Sequence, residues 1–449
     1  MLSLTAFNMI KTGAETNTRV FTPQKIVKEM LDALPPEVWN SKTTFLDPAV
    51  KSGVYLVEIY NRLMETPELI KDFPDEQDRA IHIYKNQLFG IAIDNFCCLM
   101  AQRNLYGHIG GESNIRFIDG YMSKVKDKDS KKYIDAVKKE FGEMKFGVII
   151  GNPPYQESTG DGARAKPIYG KFFEKAVVLN PQIISYITPL RWCSADDKLS
   201  EFMRKRILTS QCVKIQNYSD SEDVFQNATI SGGVGYFIID ANHNGETVII
   251  ENGVQSKHIF SNEKIFISSN VGRKIVSKIS TEKTLDESIK IDSGFFGLET
   301  NEYGYAKKYD IFVRSSKAVG YLELHDIPKN QNEVSKYKVI TGAMRNTGSM
   351  IINVPEILKP NEVCTSTYTV LEVFNTLEEA QNFVTYVKTK VFRFLISVTL
   401  NGQRVTKKNY QLIPMQDFSH PWTDEMLYKK YNLTDEEIDY IEKTIKPMT

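Results

Sequence analysis

Phe146-Gly147-Val148-Ile149-Ile150-Gly151-Asn152-Pro153-Pro154-Tyr155-Gln156 is an apolar run that stops abruptly at an amide, two prolines and an aromatic ring. The run reads as a buried strand. Pro153 and Pro154 each have a locked φ and no N–H, so together they fix the turn that ends it. The side-chain oxygen of Asn152 and the main-chain carbonyl of Pro153 are each able to accept one N–H. That pair suits an amino group conjugated to a planar ring, a poor nucleophile because its lone pair is delocalised. Two acceptors favour the pyramidal nitrogen that can attack, and their hold tightens as positive charge develops on it. Tyr155 adds a flat face on which such a ring can stack. Asn-Pro and Pro-Pro are also ordinary turn signals, so the tetrapeptide alone leaves a plain strand-ending turn open.

Its place in an ordered series decides between the two. Val20-Phe21-Thr22-Pro23 comes first, with Thr22 expected as an N-cap and Pro23 in the first turn of a helix carrying Ile26, Val27, Met30, Leu31 and Leu34. Thr44-Phe45-Leu46 then reads as a strand breaking into the turn Asp47-Pro48-Ala49-Val50-Lys51-Ser52-Gly53, with a helix beginning over Val54 to Met64. Doubly wound α/β folds bind the phosphate or carboxylate end of nucleotide-like ligands at such a strand–turn–helix. A second strand, Leu88 to Ile93, runs into Asp94, suited to gripping ribose hydroxyls. A third, Ile115 to Ile118, runs into Asp119, and the Asn-Pro-Pro-Tyr strand is the fourth. Each acid has a competing use as the cap of the helix that follows it.

In this order the chain resembles the gamma class of amino-group DNA methyltransferases, specifically the adenine-N6 enzymes of restriction–modification systems. The resemblance spans about residues 15–240, continuing through Pro167 to Phe172, the strand Ile184 to Pro189, Phe225, and Ser231-Gly232-Gly233 before strand Val234 to Ile239. A less specific likeness covers the tail from Ser366. The resemblance implies a Rossmann-like α/β catalytic domain that binds S-adenosylmethionine. Asp47, with Pro48 and Ala49 in the turn, would hold the methionine part, and Thr22 the carboxylate end. Asp94 would take the ribose hydroxyls and Asp119 the adenine amino group of the cofactor. Asn152 and Pro153 would hold the target amino group, Pro154 would shape the turn, and Tyr155 would stack on a flipped base. Phe225 is the candidate for a second contact with that base; its alternative is an ordinary core position.

One departure stands in the cofactor turn. The class usually has small residues, with a glycine, where this chain has Val50-Lys51. A glycine there permits positive φ and close approach of a ligand. Lys51 either narrows the pocket or pairs with the cofactor's carboxylate.

The chain has 449 residues, more than one hydrophobic core usually supports, and is 41% hydrophobic. We expect a catalytic domain over 1–240 and an α+β target-recognition domain over 241–449, divided at the polar turn Asp240 to Gly245. No apolar run reaches membrane-spanning length and no signal-peptide pattern opens the sequence, so no membrane partner is expected. Cys97, Cys98, Cys193, Cys212 and Cys364 show neither metal-ligand spacing nor a disulfide framework, which points to a cytoplasmic, reducing compartment and no metal. Lys and Arg total 56 and so do Asp and Glu, which argues against a polybasic arm and makes attraction to nucleic acid local to a cleft. Arg164, Lys166, Arg345, Arg404, Lys407 and Lys408 are candidates for that cleft; for most, the simpler role is a solvated surface charge.

In the second half, Val339-Ile340, Met350-Ile351-Ile352 and Thr367 to Phe374 read as strands. Thr376 with Glu379 and Thr434 with Glu437 form capping boxes, the first opening a helix through Leu395. Arg345, Asn346, Asn401, Gln403 and Arg404 have the side chains that read base edges. The expected function is site-specific methylation of adenine N6 in double-stranded DNA, with the base flipped out of the stack. A separate restriction endonuclease is the expected partner, since no Asp…Glu-x-Lys nuclease core and no Walker loop is legible. The alternatives are an RNA or protein amino-group methyltransferase, and a non-catalytic DNA-recognition subunit whose cofactor pocket Lys51 impairs.

Overall fold

Val148, Ile149 and Ile150 are almost wholly buried, because the strand they form has parallel neighbours on both sides. The computed structural model describes residues 20–108, 112–118, 130–156, 167–193, 197–225, 230, 232–261, 263, 265–267, 269–279, 284–285, 292–300, 310–316, 320–344, 351–400 and 405–448. Two compact units divide it, Met1–Phe266 and Ile267–Thr449.

The first unit carries one nine-stranded sheet. Its strands are β1 Phe45–Val50, β2 Leu88–Ala92, β3 Ile115–Phe117, β4 Val148–Gly151, β5 Ile183–Pro189, β6 Cys212–Tyr218, β7 Val234–Asp240, β8 Thr247–Glu251 and β9 Val254–His258. They lie in the order β3-β2-β1-β4-β5-β7-β6-β8-β9. The first five run parallel, and β7 inserts antiparallel between β5 and β6. Chain order reverses between β1 and β4, whose pairing sets Phe45 beside Val148 and Leu46 beside Ile149. In open α/β sheets ligands bind beyond the carboxyl ends of the strands at such a switch point. Asp47 lies on β1, and Asn152 directly follows β4. Helices α1 Gln24–Asp32, α2 Val54–Met64 and α5 Asn95–Tyr106 are among those that cover the sheet, and their apolar stripes join its core. Between α2 and β2 lie two more helices, α3 Pro67–Asp72 and α4 Glu76–Asn86.

The first unit departs from three expectations. Strand β1 does not break at Asp47 but runs on through Pro48 and Ala49 to Val50, with a register shift against β2. Pro23, not Thr22, occupies the N-cap of α1, and no side chain caps that helix. The boundary placed at 240 falls inside the sheet: β8 pairs parallel with β6, and β9 pairs antiparallel with β8. The polar turn after Asp240 is a connection within the sheet.

The second unit is α+β. Two three-stranded sheets, β11-β10-β14 and β13-β12-β15, comprise β10 Ile311–Arg314, β11 Gly320–Leu322, β12 Tyr337–Gly342, β13 Glu356–Leu358, β14 Glu362–Cys364 and β15 Tyr368–Phe374. Of the strand expected at 350–352, Met350 lies outside the described residues and residues 351–352 are not in a sheet; the next strand is β13. The long helix expected after Thr376 breaks at Thr389 into Leu377–Lys388 and Lys390–Ser397. Thr389 is extended and caps the second piece by accepting from the Phe392 N–H. Thr434 and Glu437 close a capping box at the start of the last helix, Asp435–Thr444. Among the described residues no helix is long and apolar enough to cross a membrane.

Candidate active site

Asn152 is the first residue after β4, and the whole tetrapeptide Asn152 to Tyr155 is buried. The Asn152 amide donates to the Val20 carbonyl (3.2 Å) and to the Thr22 hydroxyl (3.1 Å). Its oxygen, Oδ1, has no hydrogen-bond partner among the described residues although Asn152 is only 3% exposed. A buried unsatisfied acceptor costs about 1–3 kcal/mol, and native folds retain few of them. Thr22, displaced from its expected capping role, instead joins the Val20 carbonyl in holding the Asn152 amide. The Tyr55 hydroxyl donates to the Met30 sulfur (3.2 Å).

Asp47 sits one strand away, 3% exposed, with Oδ1 accepting the Ala49 N–H at 2.9 Å. Burial pushes its carboxyl up to about 7, against the opposing pull of the Ala49 N–H and the Lys51 charge. Gly151 makes this proximity possible, since a Cβ there would stand 2.7 Å from Asp47 Oδ1. Lys51 is also buried, and its Nζ donates to the Val20 carbonyl at 2.8 Å. Burial lowers its ammonium to about 8, with Asp47 acting in the other direction. At Gly53 the backbone turns left-handed (φ 78°) into α2, whose N-terminus has no side-chain cap. Thr22, Asp47, Ala49, Lys51, Ser52, Gly53, Tyr55 and Asn152 thus border one crevice, with Phe21 and Val54.

The remaining expected residues lie elsewhere or serve other contacts. Asp94 caps α5, accepting the Cys97 N–H at 2.7 Å, and is half-buried. Asp119 lies outside the described residues, as do Arg164, Lys166, Arg345, Asn346, Asn401, Gln403 and Arg404. Lys407 and Lys408 are exposed on the second unit. Tyr155 and Phe225 do meet, edge to face, with ring centroids 6.3 Å apart. Both rings are buried, and the Tyr155 hydroxyl has no partner among the described residues. The Tyr155 carbonyl accepts the Ile168 N–H at 3.1 Å, and Gln156 bridges to Pro167, so the chain returns to the tetrapeptide at that point. Val20 and Tyr55 were not foreseeable as site residues: one acts through its carbonyl, and the other reads as a core aromatic.

A family model for the Eco57I restriction-modification methylase matches residues 86–225, which include the tetrapeptide and Phe225. An adenine-specific methylase of Mycoplasma pneumoniae, itself uncharacterised, is 33% identical over 295 residues, or 52% of this chain and 69% of that protein. The chain belongs to the adenine-specific methylases. Among solved structures, the methylase aligns with the type I EcoKI M protein at 15% identity and TM-score 0.39, over 54% of this chain and 50% of that one. It aligns with a type I methyltransferase subunit of Streptococcus thermophilus at 14% identity and TM-score 0.38, over 61% and 55%. A nuclease-deletion mutant of the Type ISP enzyme LlaGI gives 12% identity and TM-score 0.48, over 88% and 46%. The methylase thus spans about half the length of these solved chains.

Proposed function

We propose that this chain is a site-specific DNA adenine-N6 methyltransferase that uses S-adenosylmethionine and works within a restriction–modification system. The observation that carries this reading is the Oδ1 of Asn152, buried just after β4 beside the Asp47 crevice and without a hydrogen-bond partner among the described residues. Its amide is already committed to Val20 and Thr22, which leaves the oxygen as the group that acts on a substrate. An oxygen accepts and cannot donate, so it selects an amino group over a carbonyl at that position.

The residues present fit the cofactor. The crevice offers a buried acid, a buried ammonium and an uncapped helix N-terminus, matching a ligand end that carries both charges. When bound, S-adenosylmethionine supplies an electrophilic methyl on its sulfonium. Asn152 Oδ1 and the Pro153 carbonyl accept the two N–H bonds of the target and turn its lone pair toward that methyl. Neither group can take the proton the nitrogen must then lose, so it leaves to solvent. Catalysis of this kind rests on proximity and orientation. The Tyr155–Phe225 pair supplies an aromatic wall for the extruded base. Because Tyr155 is buried, stacking a base on it requires the groups that cover it to move aside. Extrusion from the duplex costs a few kcal/mol, which stacking and phosphate contacts must offset.

The second unit is the proposed target-recognition region, and a separate endonuclease the proposed partner. The test uses purified protein, tritiated S-adenosylmethionine and mixed-sequence duplex DNA, followed by digestion to nucleosides. Label in N6-methyladenine, lost in Asn152→Ala, is the expected result. Label confined to RNA or to protein in parallel reactions would replace this reading with one of its alternatives.

A further inference from the structure

Lys51 is the feature of the crevice that the reaction itself does not require. Its side chain is 7% exposed, and no carboxylate of the described residues lies within ion-pair distance of its Nζ. The nearest acid in the crevice, Asp47, gives Oδ1 to the Ala49 N–H instead. A buried ammonium that meets only a carbonyl oxygen is poorly compensated, and a carboxylate makes a hydrogen bond roughly twice as strong.

Two further observations point the same way. Helix α2, eleven residues long, starts at Gly53 without a side-chain cap, so its first N–H groups face the crevice end that Lys51 also borders. Asn152 Oδ1, buried and without a partner among the described residues, marks the same crevice as a place where a ligand completes the hydrogen bonding.

We propose that Lys51 is the cation that receives the carboxylate at the amino-acid end of the cofactor, the Val20 carbonyl holding its place until the ligand arrives. This rests on the cofactor reading given above. Lys51 is then a specificity-determining residue: it selects ligands that carry the carboxylate. The Val20 carbonyl also accepts the Asn152 amide, so the exchange at Lys51 takes place next to the group that orients the target nitrogen.

The test is calorimetric titration of the full chain, wild type and Lys51→Met, with S-adenosylmethionine and with its decarboxylated analogue. In the wild type, loss of the ligand carboxylate is expected to weaken binding by roughly tenfold to a hundredfold, the range of a charge-assisted contact. Lys51→Met is expected to bind S-adenosylmethionine about as weakly as the wild type binds the analogue, and to discriminate the two ligands little. Lys51→Arg, which keeps the charge, is expected to keep the preference for the carboxylate. Wild-type binding of both ligands with equal affinity overturns the inference without any variant having to fold. Full discrimination retained in Lys51→Met overturns it too. Binding of neither ligand to the wild type overturns the cofactor reading itself, and this inference with it.

Discussion

At the scale of single residues, Asn152 and Asp47 are both buried polar groups, yet their environments give them different tests. Asn152→Ala removes one of two acceptors that act on charge developing during methyl transfer. Loss of one such preorganised contact costs about 10²–10³ in rate. The single-turnover rate is therefore expected to fall by that order while cofactor affinity changes little. Equal losses in both would make Asn152 a cofactor ligand instead. Asp47 is tested through pH. Its carboxyl rises from an ordinary 3.8 to about 7, chiefly by burial, so the folded chain holds a proton that the unfolded chain has released. Stability from this group is fully present below about 3.8 and is lost as pH rises to about 7. Lys51 runs the other way: lowered from 10.5 to about 8, it returns stability between those values as pH rises. Melting temperature measured against pH is thus expected to fall over the first window, and Asp47→Asn to remove that fall. A profile unchanged by Asp47→Asn would mean the carboxyl titrates alike folded and unfolded.

At the scale of elements, two contacts set how strands and helices stand. Gly151→Ala places a methyl 2.7 Å from Asp47 Oδ1, between strands that have little room to part. An overpacking loss of about 1–3 kcal/mol is expected, read as a lower denaturant midpoint with an unchanged slope. Thr434→Ala removes the cap of the last helix and is expected to cost about 1 kcal/mol in the same measurement. Much of this architecture was legible in the residues. Helix α2 follows Gly53 where the turn chemistry placed it, β4 ends at Gly151 just before Asn152, and Thr434 caps as read. Elements whose identity depends on a neighbour were not legible. Strand β6 contains Gln216 and Asn217, polar side chains that only the surrounding sheet buries, and β9, Val-Gln-Ser-Lys-His, is largely solvent-facing and carries no apolar alternation. The break at Thr389 has no proline or glycine to announce it, since a threonine in a helix and one that caps a helix look alike in sequence. In the site, Asn152, Asp47 and Thr22 were legible as types of side chain. The Val20 carbonyl was not, because any residue presents one.

At the scale of the whole molecule, the question is where the first unit ends. A cut after Asp240 looks natural on the sequence, because a polar turn follows a buried strand. In the sheet it would strip β8 from the edge of β6, where Lys214, Ile215, Gln216 and Asn217 pair in register with Val248, Ile249, Ile250 and Glu251. It would also remove Ile249, which is fully buried, and β9, which covers the far side of β8. An exposed row of unpaired N–H and C=O groups on a long apolar sheet recruits other chains. A fragment of residues 1–266 is therefore expected to elute as a single species and melt cooperatively, whereas 1–240 aggregates or elutes as multimers. Size-exclusion chromatography and a circular dichroism melt on both fragments decide it. Equal behaviour of the two would show that β8 and β9 are dispensable additions, and would return the boundary to Asp240.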